Sequence, residues 1–343
     1  VIRSILVIRL SALGDVANML PVLTALRRSF PEARMDYVVE DRHEDLVRDH
    51  PCLDDVIVFP RRRWKRMMRR PWMWPRLAAE AIQYVQRLRR ERYDAVLEMQ
   101  GNLKGALHAV AARSRRRIGY ARGFCYESAY MFATVRVRPP GKRIPRVEKY
   151  MALVRALDPN ARIGPPTMAA PRAAVDDIRA YLEACGLKPG AYVVVHAGTS
   201  EFGREKRWAP ERFSALCERI HREFGLPCVI AWGHDERALA ELICHEARAA
   251  AVLGPETRTV PHLVELIRSA RLFIGADSGP LHVAAASGRT CVGLYGIKDP
   301  AIYAPYPRER HVVVQSPTGR MEDLSVDAAI EGVRAAFRMD GAP

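Results

Sequence analysis

Leu272 to Gly296 reads LFIGADSGPLHVAAASGRTCVGLYG. Two apolar runs, Leu272 to Gly275 and Cys291 to Tyr295, bracket a polar turn at Asp277 to Gly279 and a small-residue helix from Leu281 to Ser287. The order strand, loop, helix, strand predicts an α/β fold and a ligand-binding layout. Asp277, Ser278 and Gly279 fall at a helix N-terminus, where unpaired N–H groups favour an anion such as a phosphate or diphosphate. The competing reading is that Asp277 or Ser278 only caps the helix.

A chain of 343 residues with 49% hydrophobic content can bury a large core, and its length favours two domains of roughly 150 to 170 residues each. Seven cysteines without a CxxC pair argue for a reducing compartment and against a zinc ribbon or a disulfide framework; they read as small core residues. No apolar run is long enough for a membrane span, and arginines interrupt the opening VIRSILVIRL, so a soluble cytoplasmic protein is expected. The net charge of +15 calls for an acidic partner: nucleic acid, an anionic lipid surface or a phosphorylated substrate. No helix-turn-helix spacing, zinc-finger pattern or RRM-type motif supports nucleic acid.

The same alternation runs through the first half. Ser4 to Leu10 is a strand, followed by a helix with Val16, Leu20, Leu23 and Leu26 at helical spacing. Met35 to Glu40, Val56 to Phe59 and Asp94 to Met99 are further strands, Pro75 to Arg90 is helix-permissive, and the pattern predicts a parallel sheet wrapped by helices. The first strand-to-helix turn contains one glycine, Gly14, where a dinucleotide fold carries GxGxxG. Asp15 follows it, an acidic residue that would repel a pyrophosphate, so this loop suits a neutral or hydroxylic group better. Asp15 either caps the following helix or faces the cleft as a general base. RRRWKRMMRR, Arg61 to Arg70, interleaves seven basic residues with Trp64, Met67 and Met68. Trp72 and Trp74 follow. It reads either as a solvated charge run or as a surface for an anionic amphiphile at a membrane interface. EMQGNLKG ends a strand in a polar loop, from which Gln100, Asn102 and Lys104 are candidates to join Asp15. Glu148 to Leu157 is a helix, and Asp158 to Pro171 is the linker, giving domains at 1–165 and 172–343.

In the second half Ala173 to Cys185 is a helix, and Tyr192 to His196 is a strand emptying into AGTSEFGREKRW. Thr199 and Ser200 offer hydroxyls and Lys206 a mobile cation for a diphosphate. Cys228 to Trp232 runs into GHDE, where Asp235 or Glu236 is placed either to accept hydrogen bonds from a ribose or to cap the next helix.

RLSALGDV with Leu20 and Pro21, HAGTS followed by KRW, and GADSGPLHVAAASG together resemble the lipopolysaccharide heptosyltransferases of glycosyltransferase family 9. The resemblance spans nearly the whole chain. Gly275 to Gly288 is its most specific part, similar to G-x-D-[ST]-G-x-x-H-x-A-A-A, and Arg62, Arg63 and Trp64 are similar to a motif of the heptosyltransferase I branch. The resemblance implies a GT-B fold of two Rossmann-like domains facing across a cleft, with a C-terminal helix, Asp327 to Phe337, packing back on the first domain. It implies that Thr199, Ser200, Lys206, Asp277, Ser278, Gly279 and His282 line a donor site and that Asp15 is the base. Ser11, Gly14, Arg62, Arg63, Arg66, Gln100 and Lys104 are then the acceptor-side candidates.

The activity so implied is inverting, metal-independent transfer of heptose from ADP-heptose to the Kdo-containing inner core of a lipid A precursor, at the cytoplasmic face of the inner membrane. No bound cofactor or metal is expected: there is no DxD motif and no HExxH cluster. The rivals are a GT-B transferase for another sugar nucleotide and anionic acceptor, and a basic nucleic-acid or membrane-binding module without catalysis.

Overall fold

The computed structural model describes residues 2–168, 170–199, 201–233, 235–257 and 259–339, without the side chains of residues 201, 202 and 204. The chain divides into two compact units, Val1–Ala169 and Ala170–Pro343. In the first unit the elements are β1 (Ser4–Ile8), α1 (Leu13–Ala17), α2 (Leu20–Ser29), β2 (Arg34–Glu40), β3 (Asp55–Phe59), α3 (Arg61–Met68), α4 (Trp74–Leu88), β4 (Ala95–Glu98), α5 (Leu103–Ala111), β5 (Arg117–Tyr120), β6 (Val135–Val137) and α6 (Arg146–Arg155). The second contains α7 (Arg172–Ala184), β7 (Val193–His196), α8 (Pro210–Phe224), β8 (Cys228–Trp232), α9 (Arg237–Ala247), β9 (Ala251–Glu256), α10 (Val260–Arg268), β10 (Leu272–Ala276), α11 (Gly279–Ala286), β11 (Cys291–Tyr295), α12 (Pro300–Tyr303), β12 (Val312–Gln315) and α13 (Val326–Met339).

Each unit holds a six-stranded sheet, ordered β3-β2-β1-β4-β5-β6 and β12-β11-β10-β7-β8-β9, with every pair parallel. Numbered within its own unit, each sheet has the doubly wound order 3-2-1-4-5-6. Parallel strands are covered by helices on both faces, which is why SILVI, VVVH and LFIGA read as continuous apolar runs and not as alternating ones. In such a sheet ligands bind beyond the C-terminal strand ends where the strand order reverses. Those points lie between β1 and β4 in the first unit and between β7 and β10 in the second.

The expected helix after β1 is two helices, α1 and α2, separated by a turn at Asn18 and Met19. β5, β6, β9 and β12 were not marked in the sequence: β5 and β6 are short and contain arginine, β9 contains glycine and proline, and β12, VVVQ, is a four-residue run of valines ending in glutamine. α13 lays Ile330, Val333 and Phe337 into the core of its own unit. Gly332 makes that approach possible, since a Cβ there would stand 2.4 Å from Val314 Cγ2. Of the seven cysteines, Cys52, Cys217, Cys228 and Cys291 are buried, as small core residues should be, whereas Cys185 is exposed.

Candidate active site

The chain leaves β1 through a buried cation. Arg9 is only 5% exposed, and its Nη1 donates to the carbonyls of Met99 at 2.8 Å and Gln100 at 3.3 Å on the loop after β4. Its Nη2 forms an ion pair with Asp15 Oδ2. Burial works against this charge, yet Asp15 first and then Tyr150 outweigh it and hold Arg9 protonated above its ordinary range. The other Asp15 oxygen, Oδ1, accepts the Tyr150 hydroxyl at 2.8 Å and lies 3.9 Å from Arg146 Nε, both on α6. Asp15 does not cap α1 in the expected way. Ala12 holds the N-cap position, and Asp15, in the first turn, reaches back to the Ala12 N–H at 3.4 Å. Its side chain stays 24% exposed at the strand edge, so the carboxylate is fixed in direction without being sealed.

The other acceptor-side candidates fall around this carboxylate in mixed roles. Gly14 is buried within α1 and not in the turn before it. Gln100 braces the β1 exit, its Oε1 accepting from the N–H groups of Leu10 (3.0 Å) and Ser11 (3.3 Å). Lys104 Nζ pairs with buried Glu40 and donates to Ser11 Oγ at 3.3 Å. Asn102 is the N-cap of α5, accepting from the Gly105 N–H at 3.1 Å.

Glu98, at the end of β4, was not singled out in the sequence. Burial pushes its carboxyl up to about 7, against the opposing pull of the Gly101 N–H and Arg9. A raised acid pKa means that between about pH 4.5 and 7 the folded chain keeps a proton that the unfolded chain has lost. Stability therefore falls as pH rises through that window. Glu98→Gln, whose amide oxygen can still accept from Gly101, is expected to flatten this slope and to gain on the order of 3 kcal/mol relative to wild type above pH 7. Urea midpoints at pH 5 and pH 8 check it; parallel shifts at both pH values would show that Glu98 does not titrate in this way.

Arg61 to Arg70 is not a uniform adhesive run. Its first eight residues fold as α3, burying Met67 and turning Trp64 against Phe59 (5.3 Å between centroids) and Tyr84 (5.6 Å). The Trp64 Nε1–H donates to Glu80 at 3.2 Å, Arg63 pairs with the same carboxylate, and Arg61 pairs with Glu40 at 3.0 Å. Arg62 and Arg66 project to solvent. Five arginines (63, 66, 69, 70 and 76) wall a hollow of about 550 Å³ floored by Met67 and Met73, a lining suited to phosphate groups carried on an apolar body.

In the second unit, the loops after β7 and β10 are tied together. Lys206 Nζ donates to Asp277 Oδ2 at 2.6 Å and to the Asp277 carbonyl at 3.3 Å. Burial would raise the Asp277 carboxyl, but His282, whose Nε2 is 3.8 Å away, and Lys206 prevail and hold it below the usual carboxylate range. α11 begins at Gly279, earlier than the sequence suggested, with Ser278 as N-cap. Ser278 takes the N-cap position, but its hydroxyl makes no cap hydrogen bond and is buried without a hydrogen-bond partner among the described residues, and the Asp277 carboxylate pairs with Lys206. Pro280 has no N–H to offer, so the donors of this turn are the backbone N–H groups around it.

Thr199 uses its hydroxyl internally, donating to the Gly203 carbonyl at 2.9 Å and accepting from Arg207 Nε at 3.0 Å, and so shapes the loop that carries Lys206. Ser200 lies outside the described residues. Of the two GHDE carboxylates, Asp235 is exposed, while Glu236 turns to the C-terminal edge of β7. There it pairs with His196 Nε2 at 3.2 Å and accepts the Gly233 N–H at 2.9 Å. Gly198 is required beneath it, since a Cβ would fall 1.9 Å from Glu236 Oε1. His196, the last residue of the VVVH strand, gave no sequence signal beyond its place at a strand end.

The model of glycosyltransferase family 9 (heptosyltransferase) matches residues 82–333. The chain belongs to that family. Within it, lipopolysaccharide heptosyltransferase 1 of Escherichia coli K12 is 25% identical over 332 residues, covering 95% of this chain and 98% of the relative. The heptosyltransferase 1 of Pseudomonas aeruginosa PAO1 is 28% identical over 310 residues, covering 89% and 82%. Among solved structures, E. coli heptosyltransferase WaaC with ADP matches at a TM-score of 0.80 and 23% identity over 97% of this chain and 99% of that one. E. coli heptosyltransferase II matches at 0.73 and 21% over 99% and 100%. The two doubly wound sheets are thus the two Rossmann-like domains of a GT-B glycosyltransferase. A module that only binds nucleic acid or membrane is set aside, because the family is one of enzymes. Among the described residues, no helix is long and apolar enough to cross a membrane.

Proposed function

We propose that this glycosyltransferase moves heptose from ADP-heptose to the Kdo-containing inner core of a lipid A precursor, with inversion, without a metal ion, and at the cytoplasmic face of the inner membrane. The observation that supports the reading most is the Lys206–Asp277 pair beside the α11 N-terminus, at the point where the second sheet reverses its order. A cation and the N–H donors of a helix's first turn converge there, as a leaving diphosphate requires. The solved relatives bear on the donor: WaaC is described with ADP and with ADP-2-deoxy-2-fluoro heptose.

In the proposed step the acceptor hydroxyl oxygen forms a bond to the anomeric carbon while the bond from that carbon to the ADP oxygen breaks. The hydroxyl proton passes to Asp15, and the electron pair leaves with ADP. One displacement on the face opposite the leaving group inverts the anomeric centre. Lys206, the Ser278 hydroxyl and the α11 N-terminus meet the charge that develops on the diphosphate, the task a divalent ion performs in other transferases. Glu236, held by His196, is placed to accept from the ribose hydroxyls.

Incubation with ADP-heptose and Kdo-lipid A, with ADP release followed in the presence and absence of EDTA, tests the proposal. Equal release in both is expected. Loss with EDTA would overturn metal independence, and release only from another sugar nucleotide would move the chain to a different donor. Acceptor capture is assigned to Arg62, Arg63 and Arg66. Neutralising all three is expected to raise the acceptor KM about tenfold or more, since each charge-assisted contact is worth on the order of 1 kcal/mol. ADP affinity should be unchanged; an equal loss of both would show a general charge effect or misfolding.

A further inference from the structure

Large apolar side chains exposed to water are concentrated in one part of this molecule. Of thirteen among the described residues, ten (Met68 to Met131) lie in the first unit, and the other three, Leu242, Ile297 and Met339, are scattered through the second. The ten are ordered. On α4, Trp74, Ala78, Ile82 and Val85 recur at helical spacing along the exposed side, while Tyr84 and Leu88 face inward. On α5, Leu103, Leu107 and Val110 do the same, while Ala106, His108 and Ala109 are buried. The helices are neighbours, joined by the Tyr84 and His108 rings at 5.7 Å between centroids. Met131 continues the surface from the turn that packs on α5.

Nothing in the interior explains these stripes. Ile82 is 59% exposed, Leu107 53% and Trp72 76%, values at which a leucine or tryptophan costs solubility without adding to the core. Both stripes also end in arginine, at Arg89 and Arg90 after α4 and at Arg113 and Arg115 after α5. Residues 61–117 hold seventeen lysines and arginines against four acidic residues, which is most of the net charge of the chain. Apolar helical faces rimmed by arginine, with tryptophans at the margin, suit the boundary between acyl chains and anionic headgroups.

We infer that the α4–α5 face of the first unit docks on the surface of an anionic bilayer, with Ile82, Val85, Leu107 and Val110 entering the headgroup boundary and the arginines meeting lipid phosphates. The inference deepens the proposed membrane location and rests on it. It uses residues distinct from Arg62, Arg63 and Arg66, so a lipid-borne acceptor is presented to an enzyme already seated on its membrane.

The test is flotation of the full chain with vesicles of phosphatidylethanolamine and phosphatidylglycerol in equal parts, and with phosphatidylcholine alone. Wild type is expected to float with the first, less so at high salt, and not with the second. Ile82→Glu with Leu107→Glu should weaken binding about tenfold or more, because two apolar anchors become like-charged with the lipid. Leu242→Glu in the second unit should change nothing. Wild-type flotation by the double variant would overturn the face, as would failure of wild type to float. So would a wild-type dimer that the double variant dissociates, which would assign the face to a second copy of the chain. ADP release with an acceptor stripped of its acyl chains, read in parallel, separates this from the transferase reading. Release that persists while vesicle binding is absent removes the face alone, and vesicle binding lost only in the double variant, with release intact, supports it.

Discussion

Asp15→Asn is expected to fold, to bind ADP-heptose with near-normal affinity, and to lose about 10² to 10⁴ in turnover. Asparagine keeps the size of the side chain and an oxygen able to accept from the Tyr150 hydroxyl, but it cannot take a proton. The ion pair with Arg9 and the Tyr150 hydrogen bond hold the Asp15 carboxylate in place at the strand edge. A carboxylate suffices as the base, because the acceptor hydroxyl becomes strongly acidic only as its oxygen bonds to the anomeric carbon, and the proton need move no earlier. The same partners fix the direction in which the free lone pairs point. Removing the charge also leaves Arg9 buried beside a neutral group, so the melting temperature should fall, and turnover must be measured well below the new midpoint. Arg9 keeps its bonds to the Met99 and Gln100 carbonyls, which is why the fold is expected to survive. Turnover within a few-fold of wild type would end the general-base role. Tyr150→Phe, which removes one hydrogen bond and no basic oxygen, should cost far less than Asp15→Asn.

Strand ends were legible in the sequence where the apolar run was long and β-branched. Cys228 to Trp232 and Cys291 to Tyr295 form strands with those bounds, because each is buried on both faces and must be apolar throughout. β5, RIGY, and β9, AVLGPE, carry arginine, glycine or proline and were not distinguishable from loop. The loops that follow β1, β7 and β10 were found because a strand-to-helix turn with polar residues has a local signature. Their wiring was not. Tyr150 reaches Asp15 from 135 positions away, and Lys206 reaches Asp277 from 71, contacts that only the sheet order creates. Arg9 was readable as a charge in an apolar run, yet nothing local told that it is buried. That Glu236 and not Asp235 turns toward β7 likewise depends on His196, a residue on a neighbouring strand. Trp64 was misread as surface because its helix inserts it between Phe59 and Tyr84, and helical phase in so basic a segment is set by what lies beneath it.

Lys206→Ala should produce the second large loss, because this side chain serves two charges in turn. With no donor bound it neutralises Asp277, 6% exposed, through contacts of 2.6 and 3.3 Å; with ADP leaving, the developing diphosphate charge competes for the same ammonium. A cation present before the reaction needs no reorganisation as charge develops, and removing one such donor costs about 10² to 10³ in rate. ADP affinity should fall too, by less, since the α11 N-terminus and Ser278 remain. Lys206→Arg keeps the charge with a different reach and should restore binding before it restores turnover. Acid stability gives an independent reading. The Asp277 carboxyl is held below its unfolded range, so its contribution is fully present above the ordinary carboxylate pKa and is lost as pH falls through the depressed folded value. Without Lys206 that depression shrinks, leaving His282 as the remaining support, and acid unfolding should begin at higher pH than in wild type. A Lys206→Ala enzyme with unchanged ADP affinity by calorimetry and unchanged turnover would remove the residue from the site and return the Lys206–Asp277 pair to a purely structural role in joining the two loops.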